Sequence, residues 1–157
     1  TWGSGKPVIG IMGEFDALPG LSQDAVPDRK PVVENGAGHG CGHNLLGVAS
    51  VAAAISAKGY LESSKRPGTI RYYGTPAEEG GAGKVYMAHA GAFAGVDAVL
   101  AWHPWNNNDA TPVSCNAVIR AEIRFRGVAS HASSAPERGR SALDGLMMMG
   151  MGIEMLR

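Results

Sequence analysis

The stretch Thr69-Ile-Arg-Tyr-Tyr-Gly-Thr75-Pro76-Ala-Glu78-Glu79-Gly-Gly decides the fold. Residues 69–75 alternate β-branched and aromatic side chains and end at a proline, which cannot extend a ladder, so they read as a strand with adjacent carboxylates at its exit. Upstream, residues 7–12 form a short apolar run rich in Val and Ile and closed by Gly13. That run reads as a buried strand, and it leaves Asp16 just past its carboxyl end. Downstream, the apolar residues 96–102 form a further strand and deliver His103 to its end. Helical patterns lie between. Leu46, Ala49, Ala53 and Ala57 recur at helical spacing with Gly59 as the expected stop, and residues 83–91 read as a second helix. Strands alternating with helices predict an α/β fold with a mostly parallel sheet flanked by helices, in which ligands gather outside the carboxyl ends of the strands.

The character changes after the loop at residues 106–109. Ala117, Ile119, Ala121, Ile123 and Phe125 alternate with Val118, Arg120, Glu122, Arg124 and Arg126, the pattern of a strand with one wet face. A boundary is therefore expected near residue 113, giving a first domain over 1–113 and the start of a second over 114–157. Residues 141–156 predict a helix whose apolar side includes Leu143, Leu146, Met147, Gly150 and Ile153. Five of the seven methionines fall there, a stripe suited to core or dimer packing because Met fills irregular apolar gaps.

Of the 157 residues, 45% are hydrophobic and 18% charged, enough for a core of single-domain size. Fourteen basic residues balance fourteen acidic ones without a cationic stripe, which argues against nucleic acid or an anionic membrane as a partner and favours a small ligand. The weakly polar run at 45–57 is too short to span a bilayer and no signal segment opens the chain, so a cytoplasmic location is expected. The 23 glycines, about twice the average share, carry no period and suggest tight turns around a site. Cys41 and Cys115 sit in unlike contexts, which makes a structural disulfide the weaker reading.

The chemistry concentrates in Gly38-His39-Gly-Cys41-Gly-His43-Asn, in Glu78-Glu79, and in Trp102-His103-Pro104. Thiolate, imidazole and carboxylate are the groups that hold zinc-like ions. Cys41 and His43 are two apart, so in an extended backbone their side chains point the same way. A Cys–His nucleophile pair would explain neither Glu78 nor Glu79. The adjacent carboxylates supply an ion ligand and a spare group to take a proton from a metal-activated water. His103 is a further imidazole ligand candidate, with Trp102 and Pro104 to exclude water. His89 reads as structural, in the middle of a helix. Competing motifs fail: Val85 stands where a phosphate loop needs Ser or Thr after Lys84, and neither His-Glu-x-x-His nor Gly-x-Ser-x-Gly occurs.

Together with Gly13-Glu14-Phe-Asp16-Ala-Leu-Pro19, Glu79-Gly-Gly-Ala-Gly-Lys84 and Ser130-His131-Ala through Arg140-Ser-Ala-Leu-Asp144, these motifs resemble the metal-dependent amidohydrolase and exopeptidase family of the aminoacylases, succinyl-diaminopimelate desuccinylase and the indole-acetyl-amino-acid hydrolases. Within it the chain most resembles the aminobenzoyl-glutamate utilisation B type. The resemblance implies a zinc-exopeptidase-like catalytic domain followed by the start of a small α+β lid and dimerisation domain. It also implies two divalent ions, zinc or manganese, held by Cys41, His43, Glu79 and His103. Glu78 would be the general base, and Asp16 would orient a metal-site group. Glu14 stands where many relatives carry a ligand His, and His39 has no ligand counterpart. His131 would stabilise the oxyanion in the site of a partner protomer, and Arg140 could hold a substrate carboxylate in a bidentate pair. The implied reaction is hydrolysis of an N-acyl amino acid such as aminobenzoyl-glutamate, with dipeptide hydrolysis as an alternative and a non-catalytic ligand-binding module as another. The implied assembly is a homodimer through the lid, or a pairing with a related second subunit. Because the family's chains are longer and supply a further ligand His, residues 1–157 alone are expected to be an inactive fragment with exposed apolar surface around residues 147–155.

Overall fold

Four strands, β1 (Trp2–Ser4), β2 (Val8–Glu14), β3 (Gly68–Thr75) and β4 (Ala98–Leu100), form one sheet in the order β1-β3-β2-β4. The architecture is that of a computed structural model that describes residues 1–112 and 114–156. β2 runs parallel to both β3 and β4, with Ile9 paired to Ile70 on one side and to Ala98 on the other. β1 is antiparallel to β3, a short edge strand that the sequence reading does not anticipate. With Gly and Ser at two of its three positions it carries little strand signal.

The carboxyl ends of β2, β3 and β4 therefore lie along one edge of the sheet. That edge receives Glu14 to Asp16 from β2, the carboxylate pair from β3 and His103 from β4. Strand β4 is shorter than the run at 96–102 that predicts it; just ahead of it the Asp97 carboxylate accepts from the Val8 N–H at 2.7 Å and from Lys6 Nζ at 2.7 Å.

Helix α1 (His43–Ser64) packs on this sheet through His43, Leu46, Ser50 and Ala54, which are buried at intervals of three or four residues. Ile11, Ala54 and Ile70 form the core beneath it, joined by Trp2, Ile9, Leu61 and Tyr72. The helix begins at His43, ahead of the periodic residues that start at Leu46, and runs past Gly59. A Cβ at Gly59 would meet nothing within 4 Å, so this glycine is only a weak point in an exposed turn. The helix ends instead at Lys65, in the left-handed region, two residues before Pro67. At 22 residues α1 is long and apolar enough to cross a membrane, which corrects the expectation based on residues 45–57 alone; its buried side faces the sheet.

Between β3 and β4 lie a short turn of helix, α2 (Glu78–Gly81), and α3 (Gly83–His89). Glu78 and Glu79 thus open a helical turn just past the strand exit. His89 is the last residue of α3 and is exposed, not a mid-helix structural residue. The tight join between the two helices depends on Gly83, where a Cβ would lie 2.0 Å from the Pro76 carbonyl oxygen. Gly83→Ala should therefore cost roughly 1–3 kcal/mol through forced backbone movement. Gly59→Ala should gain about 0.5–1 kcal/mol through helix propensity. Urea midpoints of the two variants check both signs, and equal shifts would contradict this account.

All of these elements belong to one unit, Thr1–Asp109; Ala110–Arg157 form a second. The expected boundary residue, Val113, lies outside the described residues, as does Arg157. In the second unit the expected strand at 117–127 is not formed. Its residues are exposed, with Ile119 94% and Val118 76% accessible. A wet-faced strand needs a neighbour to take its backbone groups, and the bridge described here is the isolated pair Val128 and Arg140. Helix α4 (Ala142–Glu154) does form, capped by Ser141, whose hydroxyl accepts from the Asp144 N–H at 3.1 Å. Leu143, Leu146, Met147, Met148, Met151 and Met155 are all exposed, so the stripe does not pack as core here, and the apolar surface expected around residues 147–155 is exposed.

Candidate metal centre

His43 is the centre of the site. It is 1% exposed and begins α1, directly after Gly42, whose left-handed conformation turns the chain from Cys41 into the helix. The Cys41–His43 segment is thus a turn and not the extended stretch expected from the sequence. The same two side chains nevertheless meet at one cleft. His43 Nδ1 lies 3.0 Å from the Asp16 carbonyl oxygen and 3.2 Å from Asp16 Oδ1. Both are acceptors, so Nδ1 carries a proton and Nε2 is the nitrogen left to hold a metal ion or, without one, a second proton.

Nε2 faces carboxylates. Glu14 Oε2 is 3.2 Å away, Glu79 Oε1 3.7 Å and Glu78 Oε2 3.9 Å, yet Nε2 is buried without a hydrogen-bond partner. A buried nitrogen among three carboxylates calls for positive charge between them, which a second proton supplies in the metal-free site and a metal ion in the loaded one. His103 is arranged in the same way: Nδ1 is 3.1 Å from the Pro104 carbonyl oxygen, which leaves Nε2 3.3 Å from Cys41 Sγ. Carbonyl groups that fix the imidazole tautomer are the usual outer support of a metal-ligating histidine. The donor atoms of Cys41, His43 and His103 lie within 4.8 Å of one another, as do those of Glu14, His43 and Glu78. Sulfur, nitrogen and oxygen donors in two groups that share His43 fit a divalent ion of the zinc type.

Asp16 ties the pieces together. While Oδ1 holds His43, Oδ2 accepts the Glu79 N–H at 3.0 Å, locking α2 to the segment after β2. Burial by itself would raise the Asp16 carboxyl, but backbone N–H groups of Glu79 and Glu78 and its own outweigh it, and with the imidazole of His43 they hold it below its ordinary value. Cys41 is pushed the other way, by burial first and then by the charge and hydrogen bond of Glu79, with Glu78 and Glu14 adding to it. Its thiol is kept protonated by the same anions that would draw in a metal ion, so metal uptake would release a proton. Beneath the cleft, Trp102 Nε1 donates to Ser50 Oγ at 3.1 Å and Ser50 Oγ donates to the Met12 carbonyl at 3.0 Å, fixing the residue before His103 against α1.

The structure thus brings together Cys41, His43, Glu78, Glu79, His103 and Asp16. Glu14, which the sequence left open, joins them; its other oxygen is paired with Lys84 of α3. That pair is missed by sequence reasoning because residues 70 positions apart show no local signal. His39 is exposed and lines the groove beside His43 with Phe15, Asn44 and Val48. His131 and Arg140 belong to the second unit. There His131 Nδ1 accepts from the N–H groups of Ser133 and Ser134, at 3.1 and 3.2 Å, and Arg140 Nη1 donates to the carbonyls of Glu137 and Gly139, at 3.0 and 2.6 Å. Cys41 and Cys115 are both free thiols.

Comparison with known proteins agrees with this chemistry. Residues 10–144 match the model of peptidase family M20/M25/M40. The chain is similar to both of the polypeptides that carry the name p-aminobenzoyl-glutamate hydrolase in Escherichia coli (strain K12). It is 49% identical to one of them over 157 residues, covering 99% of this chain and 33% of that protein. It is 30% identical to the other over 148 residues, covering 87% and 33%. It is also 35% identical over 152 residues to the Xaa-Arg dipeptidase of Homo sapiens, covering 95% and 31%. The chain spans about a third of the length of these relatives. No solved structure matches. With the family match running through nearly all of the site residues and their scaffold, the chain belongs to peptidase family M20/M25/M40.

Proposed function

We propose that this chain carries the metal centre of a hydrolase that cleaves the amide bond of an N-acyl amino acid, with p-aminobenzoyl-glutamate as the first substrate to test. The observation that carries the reading is His43: a buried imidazole nitrogen with no partner, facing three carboxylates and flanked by the Cys41–His103 pair. The substrate class is supported by 49% identity to a protein named for aminobenzoyl-glutamate hydrolysis. A dipeptide is the second reading, favoured by the similarity to the Xaa-Arg dipeptidase.

Cys41, His43, Glu79 and His103 would hold two divalent ions, zinc or manganese. Bound there, such ions supply Lewis-acid polarisation of the scissile carbonyl and of the attacking water. Glu78 is the better base of the carboxylate pair, because its side chain is 43% exposed and can meet water and substrate, whereas that of Glu79 is 20% exposed and lies against Cys41 and His43. Glu78 takes the proton from the attacking water and returns it to the leaving amine. Asp16 keeps the proton of His43 on Nδ1 and so keeps Nε2 available. His131 as an oxyanion donor from a partner protomer and Arg140 as a carboxylate clamp complete the proposal, with a dimer through the lid domain begun by residues 114–157 or a pairing with a related second polypeptide. A cytoplasmic location is part of the same reading.

The test is hydrolysis of p-aminobenzoyl-glutamate, N-acetyl amino acids and Xaa-Arg dipeptides by the metal-loaded full-length protein. Cleavage of an acyl-amino acid in preference to the dipeptides is expected. A protein that binds metal stoichiometrically and cleaves nothing in the panel would sink the catalytic reading and leave a ligand-binding module.

A further inference from the structure

The pairing of Glu14 with Lys84 is the feature that the proposed mechanism leaves unused. Glu14 ends β2 and Lys84 is the second residue of α3, so the pair clamps two elements at the mouth of the cleft. The side chains are 19% and 31% exposed, enclosed more than a surface pair, and therefore worth more than the small contribution typical of exposed ion pairs. The two oxygens of Glu14 have different surroundings. One takes the Lys84 ammonium, and the other is 3.2 Å from the unpartnered Nε2 of His43. Two donor atoms of one tetrahedral ion, each about 2.0–2.1 Å from it, are separated by about that distance. Of the three carboxylates around that nitrogen, Glu14 is the nearest, with Glu79 at 3.7 Å and Glu78 at 3.9 Å.

A carboxylate on a flexible stem would otherwise have several ways to turn, and three glutamates around one imidazole would repel each other toward solvent. An ammonium on one oxygen removes both problems: it fixes the carboxylate plane and offsets part of the crowded negative charge. We infer that Lys84 is a positioning residue of the metal centre, holding Glu14 so that its second oxygen serves as a metal-site donor beside His43. The inference rests on the metal reading above and extends it to two residues that the sequence assigned no definite role. Lys84 acts only through Glu14, so its effect depends on Glu14 being present.

Titration of the full-length protein with cobalt(II), read by its ligand-field absorption and its thiolate charge-transfer band from Cys41, tests this without any activity assay. The parent should bind, and Lys84→Met should bind roughly 10- to 100-fold more weakly, the range for losing an outer partner of a ligand. Lys84→Arg should recover most of that loss. Glu14→Gln should weaken binding at least as much as Lys84→Met, and the double variant should be no weaker than Glu14→Gln alone, since the two act as one unit. Thermal unfolding of the metal-free proteins separates this from a purely structural role: a Lys84→Met variant with lowered stability but unchanged cobalt affinity would overturn the inference. So would full additivity in the double variant. A parent that takes up no cobalt would overturn the metal reading as a whole and this inference with it, whereas a binding parent with an unaffected Lys84→Met variant would overturn the inference alone.

Discussion

His43→Ala is expected to lose the ion held by its one free nitrogen, because this residue stands in both groups of donor atoms. Changes in the outer support of a ligand cost about 10- to 100-fold in metal affinity, and loss of the ligand itself should exceed that. Since His43 is 1% exposed, alanine also leaves a cavity, with a stability cost that would blur the result. His43→Gln keeps most of the volume and serves as the second variant. Elemental analysis after gel filtration of the full-length protein checks both. Stoichiometric metal in either variant, in a folded protein, would mean that the ion is held elsewhere.

Glu78→Gln has the opposite signature. Metal content should be unchanged, while kcat on the acyl-amino acid substrate falls by roughly 10²-fold or more, the usual range for losing a positioned base. Glu79→Gln should instead lose metal, because the Glu79 side chain lies against Cys41 and His43. The two substitutions differ by one position in the chain, so the contrast between them isolates role from location. Full turnover by Glu78→Gln would assign the proton transfer to another group. Loss of metal by Glu78→Gln and not by Glu79→Gln would exchange the two roles.

Much of the site is legible in the sequence because each donor sits within a few residues of a strong local signal. The β2, β3 and β4 runs are apolar or β-branched, and Pro76 marks the end of β3, which places Asp16, Glu78 and His103 at one edge once the strands run parallel. What is not legible depends on contacts distant in sequence. Lys84 finds Glu14 from 70 positions away, and no local pattern encodes that pairing. Gly59 offers a stop by composition, yet the helix continues because nothing in the surrounding turn requires a positive φ there and Lys65 provides the ending. The 117–127 alternation shows which side of a strand would be wet, but strand formation needs a hydrogen-bonded neighbour that periodicity cannot supply. Residues 41–43 fail differently: Gly42 takes a left-handed turn that a two-residue spacing cannot reveal, and it still delivers Cys41 and His43 to one cleft.

The most direct test of the metal centre is an anomalous diffraction map of zinc-loaded crystals. A peak should lie about 2.3 Å from Cys41 Sγ and about 2.0–2.1 Å from Nε2 of His103 or His43, with a carboxylate oxygen of the Glu14, Glu78 and Glu79 group at about 2.0–2.2 Å from this ion or a neighbouring one. Zinc found only at exposed positions such as Cys115 or His89, with Cys41, His43 and His103 keeping their present contacts and no density between them, would contradict the account.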